Sequence, residues 1–196
     1  MSRIRSAAAA ITLLVFILGF SSVGAAASWT EKITNWDLRA GYGYQYTNST
    51  RPNHFQVVEV LPSFRMPLSG SMGPDWFRGK FVWNPELNLA LFTNPYVRPM
   101  IGITPLQFQW AWDTHCRFKP YVFAGAGILY ANINRRETRK DLNFNLQPGI
   151  GFYYELNADT SLIAEYRHVH VSNAGLHEDN AGMNTHNFLV GVSVKK

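Results

Sequence analysis

The chain has 196 residues, of which 46% are hydrophobic, 14% aromatic and 16% charged, with a formal net charge of +5. A single cysteine, Cys116, excludes an internal disulfide framework. So mild a positive excess does not indicate nucleic-acid binding, and the length suits one domain.

Residues 1–27 read as a cleaved signal peptide. Arg3 and Arg5 make a basic start, Ala7–Phe20 an apolar run, and Ala25-Ala26-Ala27 offers small residues where a signal peptidase cuts. A retained anchor is the alternative, but a spanning helix needs about 20 apolar residues and this run has 14. Removing it takes away two arginines and no acid, so residues 28–196 carry a formal charge of +3. No later segment is long and apolar enough to be a transmembrane helix.

Eight stretches then read as strands, at 36–47, 53–64, 77–91, 97–111, 117–131, 142–155, 160–172 and 184–194. Each reaches the roughly 9–11 residues that a tilted spanning strand needs. The first alternates Trp36, Leu38, Ala40, Tyr42, Tyr44 and Tyr46 against Asp37, Arg39, Gly41, Gly43 and Gln45. The second to fourth alternate less cleanly, and Pro62 and Pro105 predict local irregularity there, as Pro148 does in the sixth. The fifth turns Phe118, Val122, Ala124, Ala126, Ile128 and Tyr130 one way and Lys119, Gly125 and Gly127 the other. The sixth is clearest: Leu142, Phe144, Leu146, Ile150, Phe152 and Tyr154 alternate with Asn143, Asn145, Gln147, Gly149, Gly151 and Tyr153. The eighth sends Phe188, Val190, Val192 and Val194 outward, opposite Asn187, Gly191 and Ser193.

Apolar residues facing out and polar or small residues facing in are the pattern of a lipid-facing strand around a polar lumen. With 6 Trp, 9 Tyr and 13 Phe available for aromatic girdles, the chain reads as all-β: an eight-stranded antiparallel transmembrane β-barrel spanning 28–196 after signal-peptide removal. Its expected place is the outer membrane of a Gram-negative cell. A soluble, lipocalin-like barrel is the alternative, and it would need the glycines and amides of the sixth strand to face water. Barrels of this class keep both ends in the periplasm, with short inner turns and longer outer loops. Asn132–Asp141 and Asn173–Met183 are then outer loops, and Glu155–Asp159 is an inner turn.

The seventh strand ends in His170-Val171-Ser172-Asn173. Side chains two apart on a strand share a face, so Ser172 and His170 lie with Tyr166, Ala164 and Leu162, opposite Ser161, Glu165 and Arg167. A serine and a histidine on the lipid-touching face are odd for a structural strand and reasonable for an enzyme that cuts lipids. A serine hydroxyl needs a base within hydrogen-bond reach, and that base needs a third group to hold its tautomer. The eighth strand runs antiparallel beside the seventh and brings Asn184 within reach of His170. Glu178 and Asp179, in the loop between, are the other candidates for that third role.

The run His170-Val171-Ser172-Asn173-Ala174-Gly175-Leu176, followed by Asn180, Gly182 and Asn184, resembles the outer-membrane lipid A 3-O-deacylases, the PagL-type acyloxyacyl hydrolases. The likeness extends more loosely over the length, the eight-strand pattern and the signal peptide. It implies an eight-stranded barrel that hydrolyses the ester at position 3 of lipid A, with Ser172 as nucleophile, His170 as base, and Asn173 and Gly175 contributing to the oxyanion hole. The familiar pattern has a glutamate where this chain has Asn184. The substrate so implied is lipid A within lipopolysaccharide, among outer-membrane lipids, with no cofactor and no nucleic acid. A homodimer is left open.

His168, His170, His177 and His186 with Glu178 and Asp179 contain zinc-ligand types, but no tight His-Glu-x-x-His spacing supports a metal site, and none is expected. His168 is expected at headgroup depth. The loop cations Arg135, Arg136, Arg139 and Lys140 are either a solvated loop or contacts for lipopolysaccharide phosphates. Against the esterase stands a non-catalytic barrel that binds lipopolysaccharide or is structural.

Overall fold

The computed structural model describes residues 30–45, 55–94, 96–131, 141–178, 180 and 182–196. Residues 30–32 belong to a unit spanning Met1–Lys32, and the barrel is the unit Ile33–Lys196. The expected signal peptide, 1–27, the cations Arg135, Arg136, Arg139 and Lys140, and Asp179 lie outside the described residues.

Nine segments build the sheet: β1 (Asn35–Tyr44), β2 (Gln56–Pro67), β3 (Gly79–Trp83), β4 (Glu86–Asn94), β5 (Arg98–Trp112), β6 (Phe118–Ala131), β7 (Leu142–Glu155), β8 (Thr160–Ser172) and β9 (Met183–Lys195). All pairings are antiparallel, and β1 pairs with both β2 and β9, so the sheet closes on itself. β3 and β4 share one place in the ring between β2 and β5, which makes it an eight-stranded β-barrel. Closure matters because it leaves no unpaired edge, the condition for crossing lipid with strands. Among the described residues no helix is long and apolar enough to cross a membrane.

The expected bounds of β7 and β8 hold to the residue, and the third strand is the correction. In place of one run over 77–91, a short 3-10 turn at Asp75–Phe77 precedes β3, and the strand breaks at Asn84-Pro85. Pro85 lacks an N–H, as does Pro105 on β5, so the ladder cannot continue through that point. Asn84 takes up the slack. Its backbone N–H donates to the Gln107 carbonyl at 2.9 Å and its Nδ2 to the Phe64 carbonyl at 2.8 Å. The irregularities expected at the other prolines appear as missing ladder pairs. β2–β4 pairing skips from Val60 to Ser63, β5–β6 register shifts between Ile103 and Leu106, and β7–β8 pairing skips from Leu146 to Gly149.

The two faces differ as the alternation predicts. Outside, Ile150 is 57% and Val190 69% exposed, in company with Trp36, Leu38, Val122, Leu146 and Phe188. Inside, Asn143, Asn145, Gln147, Gln107, Gln109 and Asn187 are buried. At the end that carries the termini, Trp36, Phe64 and Trp83 pack edge to face, with ring centroids 5.8 and 5.6 Å apart. At the other end Tyr44 and Tyr130 stand exposed on the outer wall.

The middle of the lumen is filled, and a cavity of about 400 Å³ lined by Asn35, Arg65, Lys80 and Tyr153 remains at the end away from Ser172. Arg39, Glu86, Arg167 and Glu165 form a closed ring of alternating charge. Arg39 Nη1 donates to Glu165 Oε2 at 2.7 Å, and Arg39 Nη2 approaches Glu86 Oε2 at 3.0 Å. Arg167 grips both Glu86 oxygens at 2.7 and 3.1 Å, and its Nε donates to Glu165 Oε1 at 2.8 Å. Tyr121 and Gln147 add donors to the two carboxylates. Above this ring Phe55, Val57, Phe92, Met100, Leu129, Val169, Val171 and Met183 make an apolar plug at the end bearing Ser172. The void between plug and ring, beside Glu59 and Asn187, measures about 20 Å³, room for little more than one water. At the end that bears Ser172 a lipid-sized substrate has no place inside, and Ser172 itself stands on the outer wall.

Candidate active site

Ser172 is the last residue of β8 and His170 lies two before it, both on the outer face and half-buried. Across the β8–β9 ladder, His170 pairs directly with Asn184. His170 Nδ1 donates to Asn184 Oδ1 at 2.8 Å. An amide oxygen can only accept, so in this contact Nδ1 is the donor and Nε2 is the ring nitrogen left outside it. Asn184, expected from strand topology to lie within reach of His170, is in contact with it. Glu178 is exposed in the loop, and the position on Nδ1 that it would take is already filled by Asn184.

Beyond Ser172 the chain turns sharply. Ala174 and Gly175 have φ of 51° and 79°, and Leu176 N–H donates back to the Asn173 carbonyl at 3.0 Å. Positive φ at both central residues is the signature of a type I′ turn. A left-handed alanine is a strained choice of the kind that collects at functional sites. Asn173, fully buried, anchors the turn. Its Oδ1 accepts from Gly175 N–H at 2.9 Å, and its own N–H donates to Asn180 Oδ1 at 2.9 Å. The structure thus brings Asn173 and Gly175 next to Ser172, with both of their N–H groups engaged by asparagine oxygens. Asn180, which the sequence motif contains without a role, is the residue that ties the loop to the end of β8.

No hydrogen bond joins Ser172 to His170 among the described residues, so the pair is adjacent without being closed. The flanks of the site differ in chemistry. On the β7 side Ser172 pairs with Phe144 and His170 with the exposed Leu146. On the β9 side stand Asn184 and, one step below, His186, which pairs with His168 at a ring-centroid distance of 5.1 Å. His186 Nδ1 shares a 2.6 Å hydrogen bond with the Tyr166 hydroxyl. The histidines are thus a cross-strand ladder, and among the described residues no group of three or more His, Cys, Asp or Glu is placed to hold a metal ion.

The family model described as lipid A 3-O-deacylase (PagL) matches residues 20–193. The chain belongs to that family. Among solved structures, the crystal structure of the outer membrane enzyme PagL is similar at 17% identity and a TM-score of 0.58, covering 80% of this chain and 97% of that one. The crystal structure of Neisserial surface protein A is similar at 15% identity and a TM-score of 0.51, covering 83% and 97%. No curated protein matches the chain. At those identities the two structures speak for the fold, and they agree with the closed ring and apolar wall in making this a β-barrel. The family carries the link to lipid A and to the Gram-negative outer membrane.

Proposed function

We propose that the protein, as a mature barrel of residues 28–196, hydrolyses the ester of the 3-O-linked acyl chain of lipid A in the outer leaflet, with Ser172 as nucleophile and His170 as base. The observation that carries this reading is the His170–Asn184 hydrogen bond on the outer wall beside Ser172. It leaves Nε2 free to take a proton on the side where lipid lies, and family membership supplies the substrate class.

In the first step Ser172 Oγ attacks the ester carbonyl while Nε2 takes the hydroxyl proton. The imidazolium then returns that proton to the departing sugar oxygen. Water repeats the sequence on the acyl-enzyme and releases the fatty acid and free Ser172. Asn184 holds the Nδ1–H tautomer throughout but lacks the carboxylate charge that would favour the imidazolium. Asn173 and Gly175 shape the turn at which the oxyanion develops, and Asn180 holds that turn in place through Oδ1. The acyl chain lies along the apolar β7 flank, over Leu146 and towards Ile150. The loop cations Arg135, Arg136, Arg139 and Lys140 pair with lipopolysaccharide phosphates, and no cofactor enters the scheme.

The test is to incubate the purified barrel with lipopolysaccharide and weigh the products. Release of the acyl acid should vanish in Ser172→Ala and in His170→Ala, and the double variant should be scarcely worse than either, because the two act as one unit. An acyl-fluorophosphonate probe should label Ser172. An unlabelled Ser172 and unchanged lipid would leave a non-catalytic barrel that binds lipopolysaccharide or is structural.

A further inference from the structure

Gly182 occupies the register position across from Ser172, one step beyond the Val171–Met183 pair that ends the β8–β9 ladder. A Cβ built on it would stand 2.9 Å from His170 Cε1, 3.4 Å from the Val171 carbonyl oxygen and 3.6 Å from His170 Nε2. Carbon atoms do not rest at 2.9 Å, so something would have to move. The Val171 carbonyl belongs to a ladder strand, whereas the imidazole is the far end of a side chain with two soft torsions. The ring is what yields. Resting on that reading of Ser172 and His170, we propose that Gly182 is a positioning residue for the base: its missing side chain makes the slot in which the His170 ring edge lies.

The geometry gives the ring two constraints. Asn184 holds it at Nδ1 by one 2.8 Å hydrogen bond, which fixes the tautomer yet permits the ring to swing about that contact. Gly182 lies against the Cε1–Nε2 edge, the edge that must face Ser172. The added methyl meets a terminal ring that can shift, and the shift turns Nε2 away from the hydroxyl it has to deprotonate. A misplacement of about 1 Å in a catalytic group lowers rates about a hundredfold.

Gly182 also has a φ of +70°, a conformation that by itself favours glycine, so the experiment must separate backbone from contact. Asparagine tolerates left-handed φ better than other side chains and still carries the Cβ. Gly73, with φ +93° near the turn at the opposite end of the barrel, supplies a strain control away from the site. Gly182→Ala and Gly182→Asn should both lower kcat for acyl release, and the rate of fluorophosphonate labelling of Ser172, by about ten- to a hundredfold with KM unchanged. Gly73→Ala should keep the parental kcat. In 13C-histidine-labelled barrel, the His170 Cε1 resonance should move in both Gly182 variants while heat-modifiable gel mobility reports a folded barrel. Parental kcat and labelling in Gly182→Asn would overturn the proposal and assign the glycine to backbone φ alone. Failure of both variants to fold would overturn it as well, making Gly182 a structural residue. The His170 resonance reads the contact even in a barrel without esterase activity, so an inactive parent would sink the functional reading and leave this one to stand or fall on the shift.

Discussion

Two regions of this barrel are rich in polar and ionisable side chains, and they are built on opposite principles. In the lumen Arg39, Glu86, Glu165 and Arg167 are almost wholly buried, and each has at least two charged partners. On the outer rim Ser172 and His170 are half-exposed, and among the described residues His170 has one hydrogen bond, to a neutral amide. A reader looking for paired carboxylates in a cleft would choose the lumen. Yet its four charges are spent on one another, each carboxylate between two guanidinium groups. On the rim, Nε2 of His170 and the Ser172 hydroxyl have no hydrogen-bond partner among the described residues, on the wall where lipid lies.

The largest expected effect breaks the lumen side of that contrast. Arg167→Ala leaves Glu86 and Glu165 short of a shared cation in a dry interior. Removing one partner of a buried pair costs about 3–5 kcal/mol, read as a lowered urea midpoint for the barrel in detergent. Molecules that remain folded should still label at Ser172. A loss below about 1 kcal/mol, the range of exposed ion pairs, would mean the ring carries no architectural load.

A smaller effect tests the wall between the two regions. Ile150 points outward from the middle of β7 and is 57% exposed. Ile150→Arg should destabilise the barrel in lipid by about 2–4 kcal/mol if that face meets hydrocarbon near the midplane. Full stability in vesicles, with normal heat-modifiable mobility, would count against the assigned phase of β7.

The smallest effect sharpens the rim. Asn184→Ala removes one orienting hydrogen bond, worth on the order of 1–3 kcal/mol, so hydrolysis should slow about tenfold to a hundredfold. The urea midpoint should stay almost unchanged. Asn184→Glu restores a charge that favours the imidazolium and should match or exceed the parent rate. If alanine leaves the rate untouched, His170 is oriented by another group. If glutamate inactivates, the site has been rebuilt around the amide.

Much of this was legible residue by residue. The alternation of Leu142–Tyr154 placed Asn143, Asn145 and Gln147 inside and Ile150 outside, and the bounds of β7 and β8 followed from the turn residues at Asn157-Ala158-Asp159 and the loop after Ser172. Asn184 was reachable by strand adjacency alone. The break at Asn84-Pro85 was missed because Phe81-Val82-Trp83 and Leu87–Phe92 read as one apolar run, and a proline between them does not announce that another, Pro105, will face it from the next strand. The engagement of the Asn173 and Gly175 amides was also hidden, since it depends on how loop residue Asn180 folds back onto the end of β8.

By itself the sequence determined that this is a membrane barrel with a serine and a histidine on its outer face, because period-two alternation is a local property that each strand carries alone. Tertiary structure decided which distant charges meet. Arg39 and Glu165 stand 126 positions apart, and Arg167 and Glu86 stand 81 apart. Only closure of β1 onto β9 and the particular stagger of the strands bring those four side chains to one level. The same stagger seats His170 against Asn184 and sets Gly182 across from Ser172. Register is a relation between strands, set by loops and closure, and no single strand encodes it.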